Sequence, residues 1–358
     1  MLIRSRNLDY HLFFKDNLED VKDIISPELS ERLVFIISNT TVHGLYAKQM
    51  EELLEGSCFH WVLIQDGEQY KNWDSFQSVV EQVDALSVTR TSLIIGFGGG
   101  VVGDLAGFVA STILRGIDYI AIPTTLLAMV DSSIGGKTAI NTREGKNRLG
   151  SFYPPKMVLM PFACLLSLPQ KEIQCGLGEI IKHGILGDER ILEILEENAP
   201  KIAQKDLEIL IELVRRSCSV KGKIVMEDEN EKGRRKILNL GHTIGHAIEK
   251  VLNYKGITHG HAVAIGIVTE LKWMVSEEFL HSSVVERIQR ILKRLDMSTK
   301  IRDISKEECI RAISFDKKRK YDMITMSIVE DITVVNNMDI PLADISKIVE
   351  HLFLGEKE

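Results

Sequence analysis

The stretch TSLIIGFGGGVVGDLAGF, residues 91–108, decides the fold. Its apolar run ending at Phe97 is the signature of a strand covered on both faces, as in the centre of a parallel sheet. Gly98, Gly100 and Gly103 follow in a G-x-G-x-x-G pattern, and an apolar helical period opens behind them. Such a turn lets backbone N–H groups approach a pyrophosphate, with the helix N-terminus adding partial positive charge. Taken alone the pattern is weak, since a tight strand–helix turn with no ligand needs the same glycines. It also stands near residue 98, not behind a first strand.

Outward from this turn, RLVFIIS (from Arg32), WVLIQ (from Trp61) and YIAIP (from Tyr119) are further strands. Helical patterns such as GLYAKQMEELLEG and WDSFQSVVEQVDAL separate them, and βαβ alternation implies a parallel sheet. From Pro169 onward the texture is helical, through LPQKEIQCGLGEIIKHGIL, DLEILIELVRRSCSVKGKIVM, HTIGHAIEKVL and HAVAIGIVTELKWMVSEEF. The expected architecture is α/β. An N-terminal Rossmann-like, parallel-sheet nucleotide-binding domain spans residues 1–165, and a C-terminal all-helical metal-binding domain spans 166–358. Tyr153-Pro154-Pro155 and Pro161 mark the approach to the boundary.

Composition sets limits on function. With 44% hydrophobic and 27% charged residues the chain is globular, and a net charge of −7 argues against a nucleic-acid binder. Five cysteines without a C-x-x-C pair suit reduced thiols in a cytoplasmic enzyme. MLIRSRNLDYHLFF breaks its apolar residues with charges, unlike a signal peptide, and no window approaches the ~20 apolar residues of a membrane span. Whole-chain charge says nothing of a local cationic pocket.

Chemistry-bearing residues cluster at the ends of the strands and on the later helices. DGEQYK (66–71) places an acid and a lysine three apart behind a strand, and PTTLLAMVDSSIGGKTAIN (123–141) brings Thr124, Thr125, Asp131 and Lys137. GKNRLG adds Lys146 and Asn147. Glu179 and Lys182 sit three apart in GLGEIIKHG, a spacing that also suits an ordinary helix ion pair. His242 and His246 are four apart, one helix face, and His259 and His261 follow a short loop. A Glu with two His leaves a zinc position open, the pattern of a catalytic metal. Spacing alone does not say which two histidines bind; the i, i+4 pair His242 and His246 is the simplest choice.

In order along the chain, GGGVVGDLAGF, RGIDYIAIPTTLLAMVDSSIGGKTAIN, GKNRLGSFYPP, LPQKEIQCGLGEIIKHG, LNLGHTIGHAIE and HGHAVAIG resemble the 3-dehydroquinate synthase family from about Asp66 to His261. The resemblance implies a homodimeric lyase of the shikimate pathway that uses NAD and Zn2+ (or Co2+). Its substrate would be a phosphorylated sugar acid, 3-deoxy-D-arabino-heptulosonate 7-phosphate, released as 3-dehydroquinate and phosphate. It implies oxidation at C5, phosphate elimination, re-reduction, ring opening and an intramolecular aldol closure. Glu179, His242 and His259 would hold the metal, so that His246 moves to the substrate set.

By the same resemblance NAD would meet Asn39, Asp66, Glu68 and Lys71, the turn Gly99, Gly100, Val101, Val102, Gly103 and Asp104, then Thr124, Thr125, Lys137 and Lys146. Cys164, Ser167, Leu168 and Glu172 complete that set. Asp131, Lys137, Asn147, Lys182, Lys221, Arg235, Asn239 and His246 would handle substrate, with Arg115 reaching the neighbouring subunit's phosphate and Lys318 closing the pocket. The chain departs from the family pattern at Asn39, usually Asp, at His261, usually Glu, and at Cys164 and Ser167, usually Phe and Thr. Other sugar-phosphate cyclases, such as 2-deoxy-scyllo-inosose synthase, and metal-dependent polyol dehydrogenases share the frame. Arg235 and Asn239 suit a substrate carboxylate that those enzymes do not need.

Overall fold

A computed structural model describes residues 1–5, 9–301, 304–314, 319–320 and 322–353. The chain divides into two compact units, Met1–Leu168 and Pro169–Glu358. The first unit runs β1 (Leu2–Ile3), β2 (Tyr10–Lys15), α1 (Lys22–Leu29), β3 (Leu33–Asn39), α2 (Thr40–Leu53), β4 (Cys58–Ile64), α3 (Trp73–Ala85), β5 (Leu93–Gly98) and α4 (Gly100–Thr112). It continues through β6 (Asp118–Pro123), β7 (Lys137–Thr142), β8 (Gly145–Phe152) and β9 (Met157–Pro161).

Seven strands form one sheet in the order β1-β2-β9-β6-β5-β3-β4, parallel except for the β1–β2 edge. The central strands LIIGFG and DYIAIP are buried along almost their whole length because helices cover both faces. Val34, Ile36, Leu93, Ile95, Phe97, Ile120 and Ile122 form the centre of the core on one side of the sheet. From β3 the chain first steps outward to β4, then returns to place β5 on the other side of β3. The carboxyl ends of β3 and β5 therefore flank the point where the winding reverses, the usual ligand crevice of an open α/β sheet. The β7–β8 hairpin is a separate two-stranded antiparallel sheet that the sequence reading did not mark as strands.

The second unit carries α5 (Gln170–Gly187), α6 (Glu189–Ala203), α7 (Leu207–Glu227), α8 (His242–Val251), α9 (His259–Ser276), α10 (Ser282–Arg294) and α11 (Lys306–Ser314). Then come β10 (Arg319–Lys320), β11 (Met323–Asp331), β12 (Val334–Pro341) and α12 (Ile345–Phe353). The unit is helical as expected, with one correction to "all-helical": β10, β11 and β12 form an antiparallel sheet. MITMSIVED and VVNNMDIP carry β-branched residues on either side of a turn at Ile332–Thr333, a period-two signal that the dominant helical texture masks. α9 is apolar nearly all round, as a helix must be when others enclose it, and it packs against α5, α8, α10 and α12. Pro169 caps α5 from just outside, so the helix opens at Gln170.

Candidate active site

Glu179 projects from α5, fully buried, and His242 and His259 are the first residues of α8 and α9. Their donor atoms converge: Glu179 Oε1 lies 3.5 Å from His242 Nε2 and 3.7 Å from His259 Nε2. Ligand atoms about 2.1 Å from a tetrahedral zinc ion stand roughly 3.4 Å apart, so these separations suit a shared divalent cation. The tautomers agree. Leu240 and Glu249 offer only acceptors to the two Nδ1 atoms, at 3.1 Å and 3.4 Å, so in each neutral ring the proton belongs on Nδ1 and the Nε2 lone pair is left for a cation. Burial would lower the His259 pKa, but the carboxylates of Glu249 and Glu179 override it and push it up to about 10. The cage demands positive charge. A two-histidine, one-carboxylate donor set fits zinc or cobalt and leaves a position for substrate.

Two close helix approaches build this cage. A Cβ on Gly260 would meet the Cys175 carbonyl oxygen at 1.8 Å, and one on Gly178 would meet the Gly260 carbonyl oxygen at 2.2 Å. Glycine at both places lets α9 reach α5, so that His259, beside Gly260, comes to Glu179, beside Gly178. Gly241 stands before His242 in the left-handed region at φ 77°, and its amide donates to Glu270 Oε2 at 2.8 Å. His246 does not join Glu179. Its ring lies 5.2 Å from that of His242, and it groups instead with Glu249 and His259. The i, i+4 pair stays side by side on α8, while the group around Glu179 takes His259 as its second histidine. His261 is held at the α9 cap, its Nδ1 3.3 Å from Thr258 Oγ1, and belongs to none of the candidate metal groups among the described residues.

Among the described residues of this unit, Lys182, Arg235 and Lys221 are buried cations, at 1%, 2% and 6% exposure. Lys182 pairs with Glu179. Arg235 is seated by a turn whose Asp228 carboxylate accepts from the amides of Lys232, Gly233 and Arg235, and its guanidinium donates to the Glu229 carbonyl. Asn239 Nδ2 donates to Glu231 Oε1 at 2.8 Å. Glu172 lies in the first turn of α5.

In the first unit, Gly99 caps α4, and the Gly103 amide donates to the Gly99 carbonyl at 3.0 Å. The amides of Gly100, Val101 and Val102 open the helix, the position where amides have no intrahelical acceptor. A Cβ on Gly99 would press within 3.1 Å of Thr125, and Thr124 donates its amide to the Gly98 carbonyl. A narrow cavity under this turn is lined by Gly98, Gly99, Gly103, Asp104, Ser132 and Lys137. Asp131 stands one residue earlier, on a single wide turn over Ala128–Ser132.

Lys71, buried, bonds to Asp104 and donates to Asn147 Oδ1 at 2.6 Å. Burial raises the Asp104 pKa, partly offset by Lys71. Asn147, expected among the substrate residues, therefore touches a residue of the cofactor set. Glu68 accepts from Asn141 Nδ2 at 2.8 Å and lies 3.8 Å from Lys146 Nζ, which ties residues 66–71 to the β7–β8 hairpin.

Asn39 ends β3, and its Oδ1 accepts from the Val42 amide, capping α2. Its Nδ2 donates to Asp66 Oδ1 at 2.8 Å, and Thr41 Oγ1 donates to the other Asp66 oxygen at 2.9 Å. The carboxylate missing from position 39 is supplied beside it by Asp66, just beyond β4; the sequence reading named Asn39 and Asp66 but not their contact. Ser167 accepts from Tyr46 and donates to the Cys164 carbonyl, while burial pushes the Cys164 thiol up to about 12, an inert packing group. Leu168 is buried close by in sequence. Arg115 is exposed and, with Leu114, sits in the left-handed region at φ 68° and 49°. Lys318 lies outside the described residues.

Residues 61–175 match the family model described as 3-dehydroquinate synthase N-terminal, and residues 176–319 match that described as 3-dehydroquinate synthase C-terminal. A 3-dehydroquinate synthase of Thermoanaerobacter sp. (strain X514) is 41% identical over 325 residues, 90% of this chain and 91% of that one. The 3-dehydroquinate synthase of Caldanaerobacter subterraneus subsp. tengcongensis is 38% identical over 353 residues, covering 98% and 99%. Among solved structures, a 2-deoxy-scyllo-inosose synthase complexed with carbaglucose-6-phosphate, NAD+ and Co2+ superposes with a TM-score of 0.85, at 26% identity and 98% coverage of both chains.

Proposed function

The chain belongs to the 3-dehydroquinate synthase family, and from that premise we propose how its own residues divide the work of converting 3-deoxy-D-arabino-heptulosonate 7-phosphate to 3-dehydroquinate and phosphate. The activity is that of a 3-dehydroquinate synthase, a lyase. A scyllo-inosose synthase activity is not favoured, because identity to the solved member is 26% against 38–41% to 3-dehydroquinate synthases. The observation that carries the reading is the convergence of Glu179, His242 and His259 on one point. Bound NAD would supply a reversible hydride acceptor, and a bound divalent cation would act as a Lewis acid toward a sugar hydroxyl.

Around those groups the side chains bind and orient. The α4 N-terminus at Gly99–Gly103 receives the pyrophosphate, and Asp66 accepts the adenosine ribose hydroxyls. Asp66 supplies the negative charge that Asn39 lacks, so selection against a 2′-phosphate persists. Lys71, Glu68 and Lys146, with Thr124 and Thr125, frame the remainder of the nucleotide. Arg235, planar and seated by Asp228, offers a fork to the substrate carboxylate, with Lys221 adding charge. Lys182, paired with Glu179, hydrogen-bonds a substrate hydroxyl. His246 and Lys137 serve the phosphate. Holding one small anion through several steps is mainly a matter of orientation.

Arg115, exposed on its turn, is the projecting group that reaches a second copy's phosphate in a cytoplasmic homodimer. The experiment is phosphate release from the heptulosonate phosphate with NAD in catalytic amount, the carbocycle identified by mass. Chelation should abolish turnover, and zinc or cobalt should restore it. Stoichiometric NADH, or turnover in metal-free protein, would overturn the reading.

A further inference from the structure

His259 faces a carboxylate through each ring nitrogen. Nε2 lies 3.7 Å from Glu179 Oε1, and Nδ1 lies 3.4 Å from Glu249 Oε2. Glu249 sits on α8 seven residues after His242, so both residues lie on one face of that helix, and it is only 3% exposed. We propose that Glu249 is the positioning residue of His259, holding its ring in one tautomer and one rotation so that Nε2 is presented toward Glu179. The proposal rests on the metal role assigned to Glu179, His242 and His259.

The two histidines are oriented by different devices. His242 Nδ1 donates to the backbone carbonyl of Leu240, an acceptor fixed by the chain itself. His259 opens α9 behind Thr258, whose hydroxyl caps the helix by accepting from the His261 amide. That cap fixes the Cα of His259 and leaves the imidazole free to turn about its own bonds. A ring turned over would present Nδ1 where Nε2 is needed. Glu249 removes that freedom, because a carboxylate can only accept and so demands Nδ1–H. Burial makes the demand firm, since a carboxylate out of water needs a donor or cation against it.

The same contact has a rival meaning. Glu249, His246 and His259 form a second candidate metal group, in which Glu249 would itself be a ligand. Such a cation would require Nδ1 of His259 to give up its proton while Nε2 serves the first cation, leaving the ring with neither proton. One ring oriented by one carboxylate needs no such ionisation.

The test uses full-length protein loaded with zinc, or with cobalt as a spectroscopic probe, and the variants Glu249→Gln and Glu249→Ala. Glu249→Gln keeps an acceptor oxygen and loses the charge; Glu249→Ala loses both. Chelator competition should show zinc affinity falling about 10–100-fold in Glu249→Ala and less in Glu249→Gln, with one metal per chain throughout. The visible cobalt spectrum should change in Glu249→Ala and stay near wild type in Glu249→Gln. Should the alanine variant not fold, Glu249→Leu, which also lacks an acceptor but fills the space, takes its place.

Affinity within threefold of wild type and an unchanged cobalt spectrum in the folded variants would overturn the proposal. So would two metals per wild-type chain falling to one in Glu249→Ala, which would make Glu249 a ligand. His242→Ala tests the underlying site separately. If it leaves zinc affinity unchanged, the metal reading fails and this proposal with it. If it abolishes binding while Glu249→Ala does not weaken it, the positioning role alone fails.

Discussion

Replacing Gly260 with alanine adds one methyl group where α9 crosses α5. The new Cβ would stand 1.8 Å from the Cys175 carbonyl oxygen and 2.6 Å from its carbonyl carbon. Both are backbone atoms of a helix, so no rotamer change relieves the overlap. Carbon–oxygen contact becomes comfortable at about 3.3 Å, so α9 must retreat by roughly 1.5 Å. His259 is the preceding residue and moves with it. A tetrahedral site tolerates only about 0.2 Å of error in each ligand distance, so the third ligand is lost while the fold survives. Overpacking of this kind costs about 1–3 kcal/mol, less than the whole stability of a typical domain.

Gly260→Ala should therefore be folded and somewhat less heat-stable, with zinc affinity about a hundredfold weaker. Chelator competition, with thermal melts with and without zinc, would show it, since zinc raises the melting temperature only of protein that binds it. Gly44→Ala is the control. Gly44 has nothing within 4 Å of its Cβ position and lies inside α2, where alanine should add about 0.4–1 kcal/mol without touching zinc binding. Wild-type zinc affinity in Gly260→Ala would refute the claim that this helix contact sets the triad.

Arg235→Lys keeps the charge and loses the planar fork, so kcat/KM should fall at least about tenfold in protein that remains folded and metal-loaded; unchanged kinetics would remove Arg235 from the substrate site. Asp66→Asn should weaken NAD binding by about 1.5–3 kcal/mol, roughly ten- to a hundredfold, and narrow the preference over NADP. Nucleotide titration followed by fluorescence reads both, and an unaltered preference would count against Asp66. Burial alone would raise the Asp228 pKa, but amides of Gly233, Lys232 and Arg235 hold it below the usual carboxylate range. Its stabilisation is then complete above that range and lost as pH falls through it to the depressed value. Asp228→Asn should accordingly be less stable than wild type in urea at neutral pH and converge with it in acid. A gap of constant size would refute the ionised carboxylate's role.

The parallel sheet was legible because strands covered on both faces must be apolar throughout, and LIIGFG and DYIAIP show this in one dimension. The sheet of the second unit was not. Asn336, Asn337 and Asp339 fall on both faces of β12 and dilute its alternation, so the period carries little contrast. Asp66 stood in plain view, but its partnership with Asn39 did not, because β3 and β4 are neighbours only through pairing such as Asn39 with Ile64. Glu249 left a trace that could have been read: its spacing from His242 puts both on one helix face.

By itself, the sequence determined the strand–glycine–helix turn, the doubly wound class and a short roll of acids, lysines and histidines, since each depends on neighbours along the chain. Which histidine meets Glu179 is a different kind of question. Spacing four apart joins His242 to His246, yet the cage joins Glu179 to His259 across 80 positions. Only packing decides that, because helices approach so closely only where Gly178 and Gly260 leave no side chain between them. A side chain's place along its own helix is local; its distance to a ligand on another helix is set by what the contact between helices can exclude.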